Sequence, residues 1–158
     1  MDDINPAAHV RARRRVVVSL PTTTEEETMD YQRTAQVDLP FAEAVPRTRE
    51  ALAAHGFGIL TEIDMQATLL AKRGTQIEPY VILGACNPAL AEGALAADPT
   101  IGVLLPCSVV VRSTGPGRSE VHVFDPGLIP AVTGNEALTG YSDEAGSRIA
   151  EALADLGS

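Results

Sequence analysis

The sequence predicts one domain of mixed strands and helices, on three observations. Short stretches with apolar residues at every second position, such as Phe57 to Ile63 and Glu120 to Asp125, alternate with stretches whose apolar residues fall at helical spacing. Proline, glycine, asparagine and aspartate stand at the junctions, where they start and stop elements. The two runs that hold both cysteines, Leu83-Gly84-Ala85-Cys86-Asn87-Pro88 and Leu105-Pro106-Cys107-Ser108-Val109-Val110-Val111, each set a cysteine close to a proline at such a junction. A chain of 158 residues buries one substantial core without disulfide or metal support.

Residues 1–27 carry no sustained period. They run from Arg11-Ala12-Arg13-Arg14-Arg15 through Pro21-Thr22-Thr23-Thr24 to Glu25-Glu26-Glu27, and read as a flexible N-terminal extension with one isolated strand at Val16 to Leu20. The domain is placed at 28–158. Its first strand falls within Thr28 to Leu39, where Tyr31, Ala35, Val37 and Leu39 alternate loosely before Pro40. Phe41, Val45, Thr48, Leu52 and His55 then recur at helical spacing, and Gly56 follows at the left-handed cap position. Pro46 lies inside that pattern, where it lacks a donor and crowds the carbonyl four residues back, so a kink or a helix start is expected near it.

A second strand over Phe57 to Ile63 puts Phe57, Ile59, Thr61 and Ile63 on one face, with Leu60 and Glu62 on the other. Asp64 is placed to cap a short helix to Arg73, whose apolar stripe is Met65, Leu69 and Leu70. Tyr80 to Ala85 is a third strand. Asn87 and Pro88 are the N-cap and first residue of a helix to about Ala97, with Leu90, Ala91, Ala94 and Leu95 as its buried side. Ile101 to Ser113 is apolar on both faces, which suits a central strand covered on at least part of each side, with a bulge or unpaired edge at Pro106. Gly115-Pro116-Gly117 turns the chain into a fifth strand, Glu120 to Asp125, with Val121 and Val123 inward. Ser142 opens a terminal helix that buries Ala145, Ile149, Leu153 and Leu156 and stops at Gly157.

Charge limits the partners. Acids outnumber bases 21 to 12, and setting aside residues 1–15, which hold four arginines and two aspartates, leaves 19 acids against 8 bases, a formal charge of −11. Nucleic-acid affinity rests on clustered Lys and Arg that release counterions, so no nucleic-acid partner is expected of this body, and the arginine tail alone would bind weakly. No membrane partner is expected either. The run Val16 to Leu20 is about five residues, short of the roughly 7–15 of a secretory leader and the roughly 20 of a span. Two cysteines 21 positions apart with no CxxC point to a reducing compartment, with the cytoplasm as the default.

Three segments carry a family resemblance: Gly56-Phe57-Gly58-Ile59-Leu60-Thr61-Glu62-Ile63-Asp64-Met65-Gln66-Ala67-Thr68-Leu69, then Tyr80-Val81-Ile82-Leu83-Gly84-Ala85-Cys86-Asn87-Pro88, then Gly102-Val103-Leu104-Leu105-Pro106-Cys107. In this order they resemble the prokaryotic family called domain of unknown function 302, over roughly residues 30–156. The resemblance implies an α+β domain of the TATA-binding-protein-like kind, with helices packed on a mainly antiparallel sheet of about five strands. It also implies a homodimer, and no established activity. The tail to about residue 27 lies outside the family domain, and Pro46 interrupts what the family pattern makes a continuous helix. Fold does not fix function, so the label says nothing of DNA binding.

Candidate chemistry is sparse. Cys86 sits at a strand end just before a helix N-terminus, whose amides would stabilise a thiolate or a ligand anion; the simpler reading is a small buried hydrophobe beside Gly84, with Asn87 only starting the helix. Cys107 shares a face with Leu105 and Val109 and reads as core, although pairing of the two cysteine strands would allow a redox couple if the Cα atoms came within about 7 Å. Glu62 and Asp64 point to one face of an extended strand with Gln66 following, a trio suited to a cation or polar ligand unless Asp64 merely caps a helix. His122 points away from Val121 and Val123, so exposure is expected, with a second-face pocket beside Glu120 and Phe124 as the alternative. No HExxH, GxSxG, Walker or Rossmann pattern occurs, and no metal or cofactor is expected. The leading expectation is a dimeric domain holding a small-molecule ligand or partner in a pocket around Glu62, Cys86 and Cys107. The alternatives are a thiol or redox enzyme with Cys86 as nucleophile and Glu62 or His122 as base, and a dimerisation module built on an apolar sheet face.

Overall fold

The computed structural model describes residues 30–157. The predicted extension, including the strand at Val16 to Leu20, lies outside the described residues. Five strands, β1 (Gln32–Val37), β2 (Gly58–Asp64), β3 (Tyr80–Cys86), β4 (Cys107–Gly115) and β5 (Arg118–Phe124), form one antiparallel sheet in the order β1-β5-β4-β3-β2. Helices α1 (Phe41–Ala54) and α5 (Thr139–Leu156) pack side by side on one face of it. Between them they bury Val81, Leu83, Val109, Val111, Val121 and Val123 with Leu52 and Ile149, which is the alternation a one-sided antiparallel sheet requires. The α+β architecture with a five-stranded antiparallel sheet is the one expected.

Local chemistry explains most boundaries. Asp64 Oδ1 accepts from Ala67 N at 2.8 Å and starts α2 (Met65–Arg73), which ends at Gly74 in the left-handed region with φ 65°. Asn87 Oδ1 accepts from Leu90 N at 3.2 Å and Pro88 opens α3 (Pro88–Ala97). Helix α1 runs unbroken through Pro46, against the expected kink or restart. Pro46 and Ala42 are both exposed, so the Ala42 carbonyl, which loses its helical donor, faces water.

Three other expectations are corrected. The register of β2 against β3 shifts between Ile59 and Thr61, which leaves Leu60 as an extra residue, 66% exposed. A bulge of one residue inverts the alternation beyond it. Ile59, opposite Ala85, faces the helices, whereas Thr61, opposite Gly84, and Ile63, opposite Ile82, face the other way, so the four residues do not share a face. Ile101 to Leu104 is a 3-10 turn rather than strand; β4 starts only at Cys107, after a cis Leu105–Pro106 peptide. On α3 only Ala94 is fully buried; Leu90 and Ala91 are half-buried, and Leu95 is exposed because the short helix lies at the sheet's end with one side to solvent.

The chain after β5 forms a cap. Asp125 accepts from Gly127 N at 2.9 Å, and the short α4 (Ile129–Thr133) leads into α5, which starts at Thr139, a turn before Ser142. Leu138 is buried with Ala94, Ile101 and Ile129 in a second, smaller core over the end of the sheet.

Candidate functional site

Two concavities differ in size and lining. The first holds the cysteines. Ala85 pairs with Cys107 across β3 and β4, so Cys86 and Cys107 meet at one end of the sheet, beneath α3, α4 and α5. The hollow there is about 50 Å³, lined by both cysteines, Asn87, Phe57, Leu90 and Tyr141 among mostly apolar neighbours. That volume admits a few water-sized spheres and falls well below the roughly 300–1,000 Å³ of small-molecule pockets. It is closed tightly because Gly93 on α3 has no side chain: a Cβ there would lie 2.7 Å from Cζ and 2.9 Å from Oη of Tyr141 on α5.

Burial pushes the Cys107 thiol up to about 11, with the neighbouring Cys86 adding to the shift, and burial pushes Cys86 up as well. A thiol nucleophile needs the opposite displacement. The Asn87 side chain is occupied by capping α3.

The expected grouping of Glu62 with the two cysteines is not formed. Glu62 stands opposite Leu83, three residues along β3 from Cys86, or about 10 Å of extended strand. Its carboxylate accepts from Arg49 of α1, and it does not line the cysteine hollow. Asp64 shares its face, as the spacing predicts, and caps α2. Gln66 Nε2 donates to the Ile77 carbonyl at 3.1 Å, which ties α2 to the segment before β3. The trio therefore serves local structure.

The second concavity lies on the sheet face away from α1 and α5. One row across all five strands runs Thr34, His122, Val110, Ile82, Ile63; the next contains Gln36, Glu120, Arg112 and Tyr80. A groove of about 560 Å³ lies over His122, Val110, Ile82 and Ile63 of the first row, rimmed by Leu104, Leu105 and Pro106 on one side and Tyr31 on the other, while Tyr80 and Arg112 of the second row line an adjoining hollow. Ile63 is 47% exposed, Tyr31 61% and Val103 87%. Gly84 makes the floor: a Cβ there would collide with Thr61 Oγ1 and stand 2.7 Å from Cγ of Pro106.

His122 is not the exposed residue expected. Its imidazole bridges Thr34 Oγ1 at 2.9 Å through Nδ1 and Glu120 Oε2 at 3.0 Å through Nε2, with the side chain only 18% accessible. The pairing of β1 with β5 sets Thr34 directly opposite, and the strand period brings Glu120 to the same side. Arg112 Nη2 donates to Glu120 Oε2 at 2.8 Å and Nη1 to Glu78 Oε1 at 3.3 Å. Burial pushes the Glu120 carboxyl up, but the hydrogen bonds and charges of His122 and Arg112 outweigh it and hold the group below its ordinary value; the bond to Glu120 raises Arg112. Of the two sequence expectations for His122, the second-face pocket beside Glu120 and Phe124 is the one that matches this geometry; the bridge to Thr34 is what sequence reading missed.

No described helix is long and apolar enough to cross a membrane. The model of the family "Domain of unknown function DUF302" matches residues 33–156. No functionally curated protein matches the sequence. The crystal structure of the uncharacterized conserved protein DUF302 from Bacillus stearothermophilus superposes with a TM-score of 0.74 at 27% sequence identity, covering 81% of this chain and 99% of that one. With the match extending over most of its length and the fold shared, the chain belongs to the DUF302 family.

Proposed function

We propose that this protein is a self-association module in which the open face of the sheet meets the same face of a second copy. The observation that carries the reading is charge depletion. The chain has a net charge of −9, yet the groove of about 560 Å³ contains no Asp, Glu, Lys or Arg in its lining, and the charges of this face, Glu78 and Arg112, stand beside it in the adjoining hollow. Loss of charge with enrichment of aromatics marks the centre of protein interfaces. Three of the chain's six Phe and Tyr residues, Tyr31, Tyr80 and Phe124, border the two adjoining concavities of this face.

Placement of the acids favours a second copy as the occupant. Glu43 and Glu50 lie on α1, and Asp143, Glu144, Glu151 and Asp155 on α5, on the opposite side of the sheet. Two copies meeting through their open faces keep these charges apart. A small-molecule ligand is the second reading, because the groove volume falls in the range of ligand pockets. Unpaired Cys86 and Cys107 suit the cytoplasm.

Native mass spectrometry and sedimentation velocity of the full chain test the reading together. A dimer is expected, and Val110→Arg is expected to leave a folded monomer. A monomer at every concentration up to about 500 μM, or a dimer that Val110→Arg leaves intact, overturns it; a retained small molecule on a monomer favours the ligand.

A further inference from the structure

We infer that association through the open face is proton-linked, with His122 as the residue that takes up the proton. This rests on the self-association reading and specifies its regulation.

The groups facing His122 are Thr34 and Gln32 from β1, Glu120 and Phe124 from β5, Val110 and Arg112 from β4, and Glu78, Tyr80 and Tyr31 around the adjoining hollow. Among these the charged ones are Glu78, Glu120 and Arg112. With a neutral imidazole the cluster carries one net negative charge; with a protonated one it carries none.

The hydrogen bonds allow either state. A carboxylate only accepts, so Nε2 holds the proton shared with Glu120, and in the neutral ring Nδ1 accepts from the Thr34 hydroxyl. A second proton on Nδ1 makes that nitrogen a donor, and the hydroxyl turns to accept. No bond is lost.

In a free protomer the groove is open, and water screens the surplus charge. A second copy over the groove removes water from His122, which lines it, and lowers the dielectric around the carboxylates at its edge, where an uncompensated negative charge costs more than in open solvent. Protonation of His122 cancels the surplus on both sides. Because association takes up protons, the dimer is expected to tighten as pH falls. Each protomer takes up one proton, so the dependence doubles in the dimer.

The test is the dimer dissociation constant of the full chain by sedimentation velocity at pH 8.0 and pH 5.5 in 0.5 M salt, where long-range repulsion is screened. The wild type is expected to bind at least about tenfold tighter at pH 5.5, and His122→Gln is expected to change less than about twofold. Glu120→Gln supplies an independent check. It removes the surplus charge at neutral His122, so it is expected to dimerise at pH 8.0 as tightly as the wild type does at pH 5.5. His55→Gln, which alters the other described histidine on the helix side, is expected to retain the wild-type dependence.

A dimer whose affinity is the same at both pH values overturns the linkage and leaves the association standing. So does a His122→Gln or Glu120→Gln protein that keeps the full wild-type dependence. A monomer at both pH values overturns both.

Discussion

Two neighbouring rows of residues cross the same five strands and meet opposite fates. The row Arg33, Val123, Val109, Leu83, Glu62 faces α1 and α5; its three central members are sealed and its ends are charged, paired with Asp125 and Arg49. The row one residue along, Thr34, His122, Val110, Ile82, Ile63, faces away; its middle mixes an imidazole with two aliphatics, and it ends in a half-exposed isoleucine beneath an open groove. An apolar middle with polar ends describes a finished layer on the first side. On the second, Val110 and Ile82 are only half-buried and the Leu104 to Pro106 rim covers one side alone, which is why the functional reading settles there.

The largest expected effect separates adjacent residues of β3. Leu83→Ala removes a fully buried side chain and is expected to cost about 2–5 kcal/mol in urea unfolding, whereas Ile82→Ala, on the open side, is expected to cost under about 1 kcal/mol at dilute protein concentration. Equal losses would mean that the open face is already covered in the protomer, and the contrast would fail.

Gly84→Ala probes the floor of the groove. The new methyl must displace Thr61 or Pro106, so a loss of about 1–3 kcal/mol is expected, with a lower urea midpoint. A neutral outcome would show the rim to be loosely held and the groove free to change shape.

A last contrast, confined to alkaline pH, concerns the sealed side. Since Cys107 holds its proton to about 11 in the folded chain against an ordinary value of 9.0, the stability linked to the protonated thiol is fully present below pH 9 and is lost as pH rises toward 11. Cys107→Ala is expected to flatten that alkaline limb. At pH 8, alkylation of native Cys107 is expected to be about a hundredfold slower than of a free thiol, following its thiolate fraction, and Cys86 is expected to react faster than Cys107. Labelling of Cys107 at the free-thiol rate would show that the hollow opens.

Features set by a few consecutive residues were legible in the sequence. The Asp64 and Asn87 caps, the Pro88 start, the Gly157 stop and the turn at Pro116-Gly117 each depend on chemistry within one turn of chain, and each stands where the sequence predicts it. What failed was parity. Nothing in Gly58-Ile59-Leu60-Thr61 announces an extra residue, because a bulge is defined by the partner strand, and the slip moved Thr61 and Ile63 to the other side. The role of His122 was hidden for the same reason. Its partner Thr34 lies 88 residues away and arrives only through the pairing of β1 with β5, so the strand pattern could offer Glu120, two residues on, as a neighbour but not the bridge. The bland account of Asp64 held, and the proposed meeting of Glu62 with the thiols failed because strand register, not sequence distance, decides which residues are neighbours.

Strand β2 is built against sideways growth. It is an outermost strand, and outermost strands invite endless sideways addition of further chains. Here the protruding Leu60 kinks the ribbon, and the acidic pair Glu62 and Asp64 sits along the margin, so a neighbouring strand finds neither a straight template nor a neutral one. At this margin, then, sheet extension from chain to chain is discouraged, and a face-to-face pairing, as proposed above, would close on itself at two copies.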